Sequence, residues 1–125
     1  MIDLSFMIKK SAEKIKNMKE NIHSQVLVYF ELWANKQIDE LEKLFSDDIV
    51  LKDWTNKWFG KQEVVDANKE IFKNDIKLSV MKIDVSSNTA FCQIYINVNG
   101  ETISVLDVIE FNDNNLIKKI TAYKG

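Results

Sequence analysis

Two aspartates and a tyrosine occupy positions where a polar side chain needs a reason. Between Glu101 and Phe111, strand alternation puts Ile103, Val105, Asp107, Ile109 and Phe111 on one face. Asp107 therefore sits in an apolar row. An ionised carboxylate buried alone costs several kcal/mol, so such a group is paired, hydrogen-bonded, or kept protonated by a raised pKa. A protonated carboxyl is a hydrogen-bond donor, whereas a register irregularity or a satisfying neighbour would make Asp107 purely structural. Asp53 closes a second such row, Ile49, Leu51, Asp53, where a strand leaves its sheet and can face a pocket mouth. There it suits a general base, and equally a turn-forming residue before a loop. Tyr29 lies on the apolar stripe of a helix, as a core tyrosine or as a hydroxyl donor in need of a partner.

Other chemistries find less support. One histidine and one cysteine, without HxxxH or CxxC spacing, form no recognisable metal site. Neither a glycine-rich phosphate loop nor a GxSxG elbow occurs. His23 falls outside the Tyr29 stripe and reads as solvent-facing. Cys92, inside an apolar strand, reads as a small core residue with no internal disulfide partner, which suits a reducing cytoplasm. Trp33, Trp54, Trp58, Phe59 and Phe91 could line a flat apolar cavity or simply fill a core.

These residues need elements to position them. From Ala12 to Ala34 the apolar residues Ile15, Met18, Ile22, Val26, Tyr29 and Trp33 recur at steps of three and four, which predicts an amphipathic helix. A break near Asn35 and Lys36 leads to a short second helix with Ile38, Leu41, Leu44 and Phe45 on one face, ended by Ser46, Asp47 and Asp48. From Ile49 the period changes to two and predicts a strand. Gly60 precedes a third helix carrying Val64, Ala67, Asn68 and Ile71, ending near Asn74. The rest reads as four strands with turns at Ser86 to Asn88, Asn99-Gly100 and Asn112 to Asn115. Asn-Gly suits a type I′ turn, whose two central residues both need positive φ. The expected order is ααβαββββ.

At 125 residues, with 46% apolar and 29% charged residues, the chain has the size and balance of one domain spanning 1–125. A net charge of −2 with interspersed signs supplies no stripe for tracking phosphates, so no nucleic-acid partner is expected. Lys9, Lys10, Lys14, Lys16 and Lys19 read as the wet face of the first helix. No apolar run approaches the roughly 18 residues of a membrane span, and Met1 to Ile8 lacks the marks of a signal peptide.

The segment VLVYFELWANKQIDELEKLFSDDIVLKDW, with the later stretch VLDVIEFNDNNLIKKITAYKG, resembles the nuclear transport factor 2-like superfamily, in particular its SnoaL-like and ketosteroid isomerase-like branch. The resemblance covers about residues 22–124 and leaves 1–20 as an amino-terminal helical extension. It implies a cone-shaped cystatin-like α+β fold, with helices packed on a curved antiparallel sheet around a pocket for a hydrophobic small molecule. Ketosteroid isomerases, whose site keeps one carboxylic acid neutral, place an oxyanion-hole tyrosine, a general-base aspartate and a protonated aspartate where Tyr29, Asp53 and Asp107 stand here. The resemblance thus implies a cofactor-independent isomerase, cyclase or dehydratase that moves a proton next to a carbonyl. A non-catalytic ligand-binding or dimerisation module of the same fold is the alternative. Trp54 replaces the proline usual after the base, and Asn68 replaces a tyrosine that supports the oxyanion tyrosine, so the pocket mouth and its hydrogen bonds should differ. Apolar residues on the other sheet face, Leu106 and Val108, point to a homodimer.

Overall fold

The computed structural model describes residues 4–125, apart from the side chains of residues 4 and 6. Helix α1 runs unbroken over Leu4–Ala34. Its stripe Ile22, Val26, Tyr29, Phe30 and Trp33 is buried, since these residues stack on one face at helical spacing and meet the sheet. The expected extension and first helix are thus one element, although residues 1–3 lie outside those described. Lys36, at φ 58°, turns the chain out of the helix, and its amide donates to Trp33 O.

A short α2, Ile38–Glu42, leads into β1, Phe45–Lys52. The expected second helix stops earlier, and Ser46 to Asp48 lie in the strand instead of ending a helix. The cause is distant in sequence: Phe45 is fully buried and pairs in parallel with Ile117, whose amide donates to Leu44 O at 2.8 Å. A further strand absent from the expected order, β2 at Lys57–Phe59, folds back antiparallel on β1. Then come α3 (Lys61–Ile71), β3 (Ile76–Ser86), β4 (Thr89–Val98), β5 (Glu101–Phe111) and β6 (Ile117–Lys124).

The six strands form one curved, unclosed sheet in the order β2-β1-β6-β5-β4-β3. All neighbours are antiparallel except β1 and β6, which run parallel. Asn99 and Gly100, at φ 53° and 93°, make the β4–β5 turn, and the Asn97 side chain accepts from the Gly100 amide at 3.0 Å. Asn112 closes the β5–β6 turn by accepting from the amides of Asn114 and Leu116.

The inner sheet face, with Ala90, Cys92, Ile94, Val105, Ile109, Phe111, Ile117 and Ile120, packs under the helices as the core. On the outer face Phe91, Tyr95, Leu106 and Tyr123 remain exposed. Among the described residues no helix is long and apolar enough to cross a membrane.

Candidate functional site

A cavity of about 110 Å³ lies between α1, α3 and the inner sheet face. Tyr29 and Trp33 reach it from α1, Asn68 from α3, Trp58 from β2 and Asp107 from β5, while Asp53 and Trp54 reach it from the β1–β2 turn. Alternation along each strand decides which aromatic residues take part. Trp58 pairs with the inward Leu51, so its neighbour Phe59 turns out of the cavity, where it is 56% exposed under the Lys57 ammonium. Cys92 faces inward opposite Asp107, so Phe91 pairs with Val108 on the outer face and is 40% exposed. The expectation that Phe59 and Phe91 line the cavity is therefore corrected by strand parity. Trp54 stands at the rim, 45% exposed, with Lys124 Nζ 5.9 Å from its ring centroid.

Asp107 is only 8% exposed, set between Cys92 of β4 and Ala122 of β6. Burial pushes its pKa up to about 7, so near neutral pH the carboxyl is divided between its two forms. Tyr29 is raised well above the ordinary phenol value, first by burial and then by the charges of Asp107 and Cys92. Burial, followed by the Asp107 charge, pushes the Cys92 thiol up to about 12. Of these three acids Asp107 is the first to ionise. Among the described residues, no hydrogen bond joins the Tyr29 hydroxyl to the Asp107 carboxyl.

Asp53 has a different environment. Its Oδ1 accepts from the Thr55 amide at 2.7 Å, the Thr55 hydroxyl at 3.0 Å and the Asn56 amide at 2.6 Å. Its own amide donates to Asn56 O at 3.0 Å, which completes a side-chain-stabilised turn. All three donors converge on Oδ1, and the residue still borders the cavity.

Asn68 holds Trp33. Its Oδ1 accepts from the indole Nε1 at 3.0 Å, and its Nδ2 donates to Val64 O at 2.9 Å. The Trp33 ring also meets Phe72 edge to face, with centroids 5.6 Å apart. The resemblance puts Asn68 where the isomerases carry a supporting tyrosine and implies altered hydrogen bonds there, but the sequence did not name the Trp33 indole as its partner. The signal was available, since an asparagine on the apolar face of α3 needs buried partners much as Asp107 does. Among the described residues no cluster of histidine, cysteine or carboxylate side chains could hold a metal ion.

With this geometry in place, comparison with known proteins defines the class. Residues 26–120 match the SnoaL-like domain, and the chain belongs to that family. The fold is that of nuclear transport factor 2-like proteins. A candidate ketosteroid isomerase from Kribbella flavida superposes with a TM-score of 0.79 at 16% identity, over 86% of this chain and 79% of that one. A nuclear transport factor 2-like protein of unknown function from Cytophaga hutchinsonii gives 0.75 at 16% identity, over 83% and 89% of the two chains. A candidate polyketide cyclase from Sinorhizobium meliloti gives 0.71 at 15% identity, over 78% and 91%. The outer spore wall assembly protein SHE10 of Candida glabrata is 26% identical over 122 residues, covering 83% of this chain. This chain spans 22% of that protein's length.

Proposed function

We propose that the cavity binds a small hydrophobic carbonyl compound and moves a proton next to its carbonyl, as an isomerase, cyclase or dehydratase would. Asp53 takes the proton through Oδ2, because Oδ1 is held by the turn. Protonated Asp107 and the Tyr29 hydroxyl stabilise the developing enolate oxygen. The observation that carries this reading is Asp107, a buried carboxyl held partly protonated at neutral pH on a cavity wall it shares with Tyr29. Kinship with candidate isomerases and cyclases supports it.

Size narrows the substrate. Drug-sized ligands occupy pockets of roughly 300 to 1,000 Å³, and an engineered cavity of about 150 Å³ takes benzene. A cavity of about 110 Å³ suits a single small ring or a short chain, and a steroid would require the walls to part.

Asp53→Asn tests the assignment, since the amide keeps the shape but cannot take the proton. Exchange of an acidic C–H of a bound ketone for deuterium should slow by about 10² to 10⁴, with ligand affinity nearly unchanged. Equal exchange in the two proteins would make Asp53 a turn residue alone. The three hydrogen bonds on its Oδ1 favour that second reading, a binding module without chemistry.

The exposed Phe91, Tyr95, Leu106 and Tyr123 further support a homodimer formed through the outer sheet face. Light scattering at micromolar concentration should give twice the chain mass, and a monomeric mass would refute the dimer. The unpaired Cys92 fits a reducing, cytoplasmic setting.

A further inference from the structure

The cavity wall has a second chemical character beside its acids. Tyr29, Trp33, Trp54 and Trp58 bring aromatic rings to it, Asp53 and Asp107 bring carboxyls, and among the described residues none that lines it is basic. Aromatic faces carry negative potential and attract cations, most strongly where water is excluded. Asp107 makes no hydrogen bond within the described chain, although it is more than nine-tenths buried and borders the cavity. A neutral hydrocarbon placed there would leave that carboxyl unsatisfied, and an anion would meet two carboxyls. A compact organic cation answers both features, with its alkyl coat against the rings and its charge facing Asp107. The rim already displays such a contact, since the Lys124 ammonium lies 5.9 Å from the centroid of the Trp54 ring.

We propose that this cavity binds a small alkylammonium ion, enclosed by aromatic rings, with Asp107 as its counter-ion. This assigns the cavity a ligand class beyond the proton-transfer reading. The two readings need opposite forms of one residue: a carbonyl ligand requires Asp107 protonated, as a donor, and an ammonium requires it ionised. The groups packed around Asp107 let that contrast appear. Tyr29 from α1 and Cys92 from β4 are both pushed upward and stay neutral across the neutral range. Asn68 from α3 and Ala122 from β6 carry no charge, while Asp53 and Lys124 stand at the rim. Ammonium affinity therefore rises with pH through about 7, and affinity for a neutral carbonyl compound falls over the same interval.

The test is a calorimetric titration of the protein with choline and with 3,3-dimethylbutan-1-ol, which has the same shape with carbon in place of the charged nitrogen. At pH 8 choline should bind at least tenfold tighter than the alcohol, and the preference should shrink severalfold at pH 6. Asp107→Asn, checked for folding by circular dichroism, should remove most of the preference for choline over the alcohol together with its dependence on pH. The pH comparison on the unaltered chain needs no variant, so misfolding of Asp107→Asn would not hide the answer. Equal binding of the two compounds, tighter binding of the alcohol, a preference unchanged between pH 6 and pH 8, or no choline binding would each overturn the proposal. None of these results would touch the deuterium-exchange test of Asp53, so the two readings fail separately.

Discussion

The floor and the rim of the cavity each carry an aspartate at the inward position of a strand-like row, and the two aspartates have little else in common. On the floor, Asp107 lies in the middle of the sheet between Cys92 and Ala122, with hydrocarbon above and below it along β5. No neighbour donates to it, so burial alone sets its behaviour and raises its pKa to about 7. At the rim, Asp53 sits just past the end of β1, where the backbone bends and offers its amides. Side-chain direction is shared, but the donors within reach are not. Whether an inward carboxyl becomes an acid, a base or a turn residue depends on those donors.

The largest effect expected from this contrast is on the pH dependence of stability. Folded Asp107 holds its proton up to about pH 7, whereas in the unfolded chain it releases the proton near the ordinary value of 3.8. Between those two values the folded state binds more protons, so stability falls as pH rises, and the contribution levels off above about 7. Roughly three pH units correspond to a loss of about 4 kcal/mol from this one group. Urea denaturation at pH 4.5 and 7.5 should show about 3 kcal/mol of that decline in the wild type, because part of it is complete by pH 4.5, and a much smaller change in Asp107→Asn. Parallel profiles would mean that the floor carboxyl is as well solvated as the rim.

A smaller effect is expected at the rim. Asp53→Ala removes three acceptor bonds, but their donors lie in an exposed turn and can bond to water instead, so the cost should be about 1 kcal/mol, near the net worth of one such bond. Asp53→Asn keeps an acceptor oxygen in place and should cost less than half as much. Urea midpoints of the two variants measure this directly. A loss of several kcal/mol in Asp53→Asn would show that the rim carboxylate supports the core, which would erase the distinction between the two regions.

Much of the fold was legible in the sequence because its signals are local. The three-four stripe through Ile22, Val26 and Tyr29 specifies a helix with one wet face, and Asn99-Gly100 specifies a hairpin because both residues accept positive φ. The alternation around Asp107 put a carboxyl among buried neighbours, and it is buried. Strand parity was legible as well: assigning Cys92 to the core already places Phe91 on the opposite face.

Other features depended on partners far along the chain. The same stripe continues through Ile15 and Met18, yet burial along it begins only at Ile22, and these two residues stay about half exposed near the β3–β4 turn residue Ser87. Phe45 became a strand residue through pairing with β6, and Asn68 found Trp33 across 35 positions. The sequence by itself determined which residues were apolar, which could turn and which carboxyl lay in an apolar row, since those properties belong to a residue and its near neighbours. Only the tertiary structure decided which donors reached each carboxyl and where along the helix burial begins. Hydrogen bonds and burial depend on distances in space, and local periodicity does not encode them.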